Sequence, residues 1–275
     1  MSAMAFEEIW WAIADTRFGR LLRCYNELPS TNDFAAALAR EGAPDGTVIL
    51  AAAQTQGRGS RGRGWFSPPG GLYLSVVLRP RLDPGAALGL TLAAGVASAE
   101  AVMACEPVEV SLKWPNDLQL AGRKLGGVLV ETAAVPGRVR HAVVGIGINA
   151  NIAPEAFPPD LQPVATSLQE HLGRPVDLKP LLRELLERLD AANQALEQGQ
   201  LAQIVERWRA LDGLAGSRVT VVAGEGRIEG DYLGIDDEGA LLLRDGAGEV
   251  RRFTSRSTIE ILVRRSLGEG GEAAP

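Results

Sequence analysis

Apolar positions change their period several times along the chain, and each change marks an element. In "STNDFAAALAREG" the alanines and Leu38 recur at helical spacing. Ser30 or Asn32 can cap the start of that helix and Gly42 can close it. "GTVILAAAQT" is an unbroken apolar run of strand length, and "GLYLSVVLRP" from Gly71 to Pro80 is alternating and β-branched, so both read as strands. The longest apolar stretch, Ala87 to Ala104, is diluted by Gly, Ser, Thr and Glu100, which suits a buried helix better than a membrane span. "VEVSLKW" alternates until Pro115 stops it. "NDLQLAGRKLGGVLVET" sets two apolar runs around Ala121–Gly122–Arg123 as a hairpin does, and "RHAVVGIGIN" is a further strand ending at Asn149. Strands joined by tight hairpins, without strict βαβ alternation, predict an α+β fold with a mostly antiparallel sheet backed by helices.

From about Thr166 the period becomes helical. Leu178, Leu182, Leu185, Leu189 and Ala192 form one apolar stripe with Arg and Glu opposite, and "LAQIVERWRAL" adds a helix ending near Gly213. The stripe is too short for a coiled coil and predicts a helix packed on the sheet. Short strands separated by Gly and Asp turns follow, which predicts a small β-barrel. The expected organisation is a larger domain over 1–212, a barrel over 213–265 and a disordered tail over 266–275.

Composition narrows the function classes. With 275 residues, 46% of them hydrophobic, the chain can bury one large core and still carry a smaller second domain. A net charge of −6 argues against a surface that coats nucleic acid and confines any cationic role to a local patch. The cysteines are Cys24 and Cys105 and the histidines His141 and His171, so neither a disulfide framework nor a Cys or His metal cluster is predicted. The start, "MSAMAFEEIWW", has acidic residues where a signal peptide carries Lys or Arg, and it lacks an apolar core. A reduced, cytoplasmic setting away from membranes is the expectation.

The Gly/Arg segment "QTQGRGSRGRGWFSPPGG", Gln54 to Gly71, holds the concentrated charge. Gly57-x-Gly59-x-x-Gly62 matches the dinucleotide fingerprint formally, but Trp65, Pro68, Pro69 and Gly70 block the helix that fingerprint must open. A Walker loop needs Lys then Ser or Thr after its last glycine, and Arg63 and Gly64 stand there instead. What remains is chemistry. Arg58, Arg61 and Arg63 are guanidinium forks suited to carboxylate or phosphate, and the glycines admit an anion to the backbone amides. A solvated, flexible basic loop is the other reading of the same residues, and the composition predicts mobility without a ligand.

Farther along, Lys113 and Lys124 flank a turn and hairpin and could converge on one face, with Asn116 able both to donate and to accept. An ordinary polar hairpin, with Trp114 and Leu118 filling the core, is the alternative. Gly126 and Gly127 inside a strand mark close approach of a ligand or another backbone, and Gly145 and Gly147 repeat the device before Asn149.

Taken in order, "STN" at Ser30–Asn32, "QTQGRGSRGRGW", "KWPNDL", "RKLGGVLVE" and "GIGIN" resemble the biotin protein ligases. The match is strong from Ser30 to Asn151 and looser over the helices and the C-terminal strands. The resemblance implies a class II synthetase-like catalytic domain with an SH3-like barrel, and a two-step reaction. Biotin carboxylate joins AMP from ATP with release of pyrophosphate, and biotin then passes to a lysine of a biotin carboxyl carrier protein. It implies that Ser30, Thr31 and Asn32 meet the biotin bicycle, with Gln54, Gly126 and Gly127 beside it. Arg58, Gly59 and Ser60 would belong to a loop closing over biotin and adenylate, although the family often has a basic residue where Ser60 stands. Lys124 would meet the biotin carboxyl and α-phosphate, so Arg58 and Lys124 are the expected catalytic residues. Arg61, Arg63, Trp65, Lys113, Asn116 and Asn149 would serve the nucleotide.

Mg2+ is expected with ATP, and its ligands are not specified by any motif. Some relatives add an N-terminal helix-turn-helix; the 29 residues before Ser30 are too few for one, so no DNA binding is expected. Homodimerisation through the catalytic sheet is a further expectation of the resemblance. A lipoate ligase or octanoyltransferase shares the catalytic fold, and a non-catalytic biotin-binding module is the third alternative. The Gly/Arg segment with "KWPND" and "RKLGG" favours biotin.

Overall fold

The computed structural model describes residues 6–223, 226–254 and 259–263. One sheet holds β1 (Leu22–Leu28), β2 (Thr47–Gln54), β3 (Leu72–Leu78), β4 (Val110–Lys113), β5 (Asp117–Leu120), β6 (Arg123–Val135) and β7 (Arg138–Ile148). Their spatial order is β1-β2-β3-β7-β6-β5-β4. β1 and β2 run parallel, and the remaining pairs are antiparallel, as the hairpin spacing predicts. The helices are α1 (Phe6–Ile13), α2 (Thr31–Arg40), α3 (Ala87–Cys105), α4 (Leu168–Leu172), α5 (Leu178–Glu197) and α6 (Leu201–Ala210).

Alternation along the strands sorts the sheet into two faces. On β2, Val48 and Leu50 join the main core, whereas Ile49 and Ala51 join a smaller cluster beneath α2. On β3, Leu72, Leu74, Val76 and Leu78 face the main core and Val77 the smaller cluster. Ser30 is the residue that caps α2, its hydroxyl accepting from the Asp33 amide at 3.3 Å. The cap fixes "STN" at the end of the sheet where β2 finishes.

α3 lies on the main face. It contains a stretch, Leu88–Cys105, long and apolar enough to cross a membrane by composition, yet 67% of that stretch is buried inside the fold. Its single charge, Glu100, accepts from Arg188 at 3.0 Å and from Arg207 at 2.9 Å. The stripe on α5 packs against α3, which corrects the expectation that it meets the sheet. Because α3 is apolar around its whole circumference, it can touch the sheet with one side and α5 with the other.

The C-terminal strands β8 (Arg218–Ala223), β9 (Gly226–Ile235), β10 (Leu241–Asp245), β11 (Val250–Phe253) and β12 (Ile259–Val263) form a separate antiparallel sheet in the order β11-β10-β9-β8-β12. Val219, Val221, Leu241 and Leu243 share one apolar cluster with α3 and the large sheet. Two polar ties reinforce the junction. Trp114 Nε1 donates to the Gly239 carbonyl at 2.9 Å, and the Tyr232 hydroxyl donates to Asp212 at 2.8 Å. The tail over 266–275 lies outside the described residues.

Candidate active site

The Gly/Arg segment is a narrow antiparallel finger. Its two arms are tied by backbone bonds from Gln54 to Ser67 (3.0 Å), from Trp65 to Gly57 (2.8 Å) and from Gly59 to Arg63 (2.8 Å). Only one 3₁₀ turn, Ser60–Gly62, forms at the tip, with Arg61 and Gly62 at positive φ of 62° and 72°. No helix opens there, so the dinucleotide fingerprint is excluded on geometry as well as on sequence.

Beneath the finger lies a cavity of about 450 Å³ between the start of α2, the ends of β2 and β7, and the first residues of β6. Ser30, Thr31, Asn32, Gln54, Arg58, Gly59, Ser60, Asn116, Lys124 and Gly127 all line it. A continuous set of hydrogen bonds holds its wall. The Thr31 hydroxyl and amide donate to Gln54 Oε1 at 3.0 and 2.8 Å, and Gln54 Nε2 donates to Ser67 Oγ at 2.9 Å. Ser75, buried on β3, donates to Thr31 Oγ1 at 2.8 Å and to Asn32 Oδ1 at 2.7 Å. Asn32 in turn donates to Glu131 at 3.0 Å. Thr31, Asn32, Gln54 and Ser75 are thus linked in one hydrogen-bonded series, which is what fixes rotamers in a polar cavity.

The strand glycines acquire specific reasons. A Cβ on Gly145 would sit 1.9 Å from Asn32 Oδ1, and one on Gly147 would sit 2.6 Å from Trp65 Nε1. They make room for two side chains of the site. Gly126 differs: its Cβ would meet the Gly147 carbonyl at 2.7 Å, a requirement of strand packing, and it does not line the cavity.

Both catalytic candidates already carry carboxylate partners. Arg58 donates to Glu131 at 2.7 and 3.1 Å and also to Asp33. Its hydrogen bonds to the Glu131 carboxylate are the largest cause of the upward shift in its pKa. Lys124 Nζ donates to Asp117 at 2.6 Å and lies 5.3 Å from the centroid of the Trp65 ring. The guanidinium is partly exposed, so each pair adds little to stability and mainly holds orientation.

Trp65 and Lys124 also form the wall of a second cavity, of about 790 Å³. Gly59, Ser60 and Arg63 of the finger line it too, facing Phe66, Asn149 and the segment from Phe157 to Ala165. The Phe66 and Phe157 rings are tilted at 6.1 Å between centroids. Trp65 Nε1 and Asn149 Oδ1 are buried donors or acceptors without a partner among the described residues, as groups awaiting a polar ligand are. Of the residues expected at the nucleotide, Arg63, Trp65 and Asn149 line this cavity. Asn116 lines the first cavity instead, its amide donating to the Val128 carbonyl at 2.8 Å. Lys113, at the β4 edge, and Arg61, at the finger tip, line neither. Ser75 and the Phe157–Ala165 segment were not indicated by any motif, and Glu131, the last residue of "RKLGGVLVE", was assigned no role.

The α+β sheet thus carries two adjoining cavities that share Gly59, Ser60, Trp65 and Lys124, the arrangement of an enzyme that brings two ligands together, and comparison with known proteins specifies the family. Residues 26–149 match the biotin/lipoate A/B protein ligase family, and residues 215–255 match the biotin protein ligase C-terminal domain. The bifunctional ligase/repressor BirA of Bacillus subtilis is 34% identical over 242 residues, covering 88% of this chain and 74% of the relative. The biotin–[acetyl-CoA-carboxylase] ligase of Paracoccus denitrificans is 36% identical over 224 residues, 80% of this chain and 92% of the relative. The biotin protein ligase from Aquifex aeolicus in complex with biotin and ATP superposes with a TM-score of 0.76 at 31% identity, covering 89% of this chain and 99% of that one. The chain belongs to the biotin protein ligase family.

Proposed function

We propose that this protein is an ATP-dependent biotin ligase. It forms biotinyl-5'-AMP with release of pyrophosphate and then transfers biotin to a lysine of a biotin carboxyl carrier protein. The observation that carries this reading is the meeting of two cavities at Lys124 and Trp65. The first, with amide and hydroxyl groups on its wall, suits a ureido ring, and the second, with aromatic and aliphatic walls, suits a purine.

In the first step a biotin carboxylate oxygen bonds to the α-phosphorus of ATP while the bond to the pyrophosphate oxygen breaks. Both reactants are anionic, so the gain comes from positioning and from cations at the point of approach. Lys124 supplies that charge at the boundary and Asp117 orients it. Arg58 supplies a second cation, held by Glu131 and Asp33 at the cavity mouth. In the second step a neutral lysine amine attacks the biotinyl carbonyl, an amide bond forms and AMP leaves. Neither step needs a nucleophilic side chain of the enzyme. Among the described residues no three His, Cys, Asp or Glu side chains converge as metal ligands. The residues do not form a cage for Mg2+, and an ion accompanying ATP would be carried mainly by phosphate oxygens and water.

The division into a catalytic domain over 1–212 and a barrel over 213–265 belongs to the same reading. Incubation with biotin, ATP, Mg2+ and a carrier domain is expected to add one biotin mass to the carrier. Lipoyl or octanoyl transfer without biotin transfer, in a validated assay, would replace the reading with that of the related ligases.

A further inference from the structure

At the end of the sheet opposite the two cavities, the loop after β3 and the turn between β6 and β7 enclose a groove of about 1100 Å³. Arg79, Arg81, Arg138 and Arg140 line it, with Asp83 at its rim. The Val139 amide donates to the Leu82 carbonyl at 2.9 Å and ties the two walls together. Arg140 is the extra residue of a bulge, since Ala134 pairs with Val139 and Ala133 with His141. A bulge re-aims the side chain it carries.

Two observations distinguish this cluster from an ordinary solvated face. Among the described residues, the guanidinium groups of Arg81, Arg138 and Arg140 make no ion pair, and that of Arg79 donates to the carbonyls of Ala39 and Ala43. Two further carboxylates accept from backbone amides of the same loop, Asp45 from Arg79 at 2.7 Å and Glu197 from Arg81 at 3.2 Å, and Asp45 is itself paired with Arg17. Such a concentration is not a by-product of composition in a chain of net charge −6. Secondly, His141 is 6% exposed and its Nδ1 has no partner among the described residues. Burial first, then the charges of Arg79, Arg140 and Arg40, hold its pKa below the ordinary histidine value.

We propose that this groove binds an oligophosphate anion, the chemical class that includes inorganic pyrophosphate, inorganic triphosphate and nucleotide polyphosphates. Among the lining residues, four guanidinium charges less that of Asp83 leave an excess of three; Asp45 is neutralised by Arg17, and Glu197 alone leaves that excess mostly uncompensated, whereas an oligophosphate matches it. Guanidinium forks bind phosphate oxygens bidentately. The site is remote from Lys124 and its existence does not depend on the ligase reading.

With two histidines in the chain, imidazole NMR resolves the test. The full-length protein is titrated with inorganic triphosphate in magnesium-free buffer at about 0.15 M salt, where nonspecific surface attraction is largely screened. The expected result is a saturable shift of the His141 signals with a rise in its titration midpoint, while His171 does not follow. The double variant Arg138→Gln/Arg140→Gln is expected to keep the wild-type melting temperature and ATP–pyrophosphate exchange rate and to bind at least about tenfold more weakly. Parallel titrations with pyrophosphate and with a non-hydrolysable ATP analogue assign the source of the phosphate. No saturable shift, or an equal response in the double variant, overturns the proposal. A tighter response to polyglutamate than to triphosphate also overturns it, in favour of a carboxylate-rich partner.

Discussion

Lys124 is held from two sides, by the Asp117 carboxylate and by the Trp65 ring, so its ammonium is fixed at the boundary of the cavities. Lys124→Ala is expected to lower the rate of adenylate formation by about 10² to 10³, the usual scale for removing one preorganised electrostatic contact, as read by ATP–pyrophosphate exchange. Arg58→Ala acts later and is expected to speed the release of preformed biotinyl-adenylate, measured by filter retention. Gly145→Ala drives a methyl into Asn32 Oδ1; KM for biotin is expected to rise about tenfold, with an overpacking cost of about 1–3 kcal/mol in chemical denaturation. A wild-type KM would show that Asn32 does not order the cavity. At this scale Ser30 to Asn32, Gln54, Arg58 and Lys124 were legible as cavity-lining residues because each carries unusual chemistry for its position, whereas Gly126, Lys113 and Arg61 line neither cavity. Ser75 was not legible. A serine within an alternating strand looks like any solvent-facing residue until the fold places Thr31 and Asn32 over it.

Among elements, α2 does double work as scaffold and wall. Ser30→Ala removes the hydroxyl that accepts from the Asp33 amide, a loss of about 1 kcal/mol. Since Thr31 and Asn32 occupy the first turn, the same change is expected to weaken biotin binding in calorimetry; Ser30→Asp, which can still cap, is expected to restore the melting temperature. β2, β3, α3 and the β5–β6 hairpin were readable because their apolar period and turn residues agree. β1 was missed. Its sequence, "LRCYNEL", mixes Arg, Asn and Glu into an edge strand whose inner residues are only half-buried, so no period stands out. The finger was read as a loop because glycine and arginine carry no strand signal; its arms are joined by backbone hydrogen bonds that side-chain patterns do not encode. The second cavity depends on Phe157 to Ala165 folding back over Trp65, a tertiary event with no local signature.

Across the whole molecule, the two sheets share one core, and Trp114 and Tyr232 tie them by hydrogen bonds. Truncation after Gly216 is therefore expected to lower the melting temperature and promote aggregation, rather than to leave an intact smaller enzyme; an unchanged melting temperature would show that the domains are energetically separate. Stability also depends on pH through His141. Its folded pKa is depressed, chiefly by burial and then by the surrounding arginines, so below the ordinary value of 6.5 the unfolded chain binds more protons than the folded one. The contribution is present above that pH and lost as pH falls through it; His141→Gln is expected to flatten the slope of melting temperature against pH in this window.

Trp65 is both part of the finger and the partition between the cavities. A single displacement of the finger would thus unroof one compartment and merge it with the other. Capture of one substrate and alignment with the second become one mechanical variable, so substitutions that tilt the finger are expected to move the KM values for biotin and ATP together. Selection on this segment cannot tune the two affinities apart.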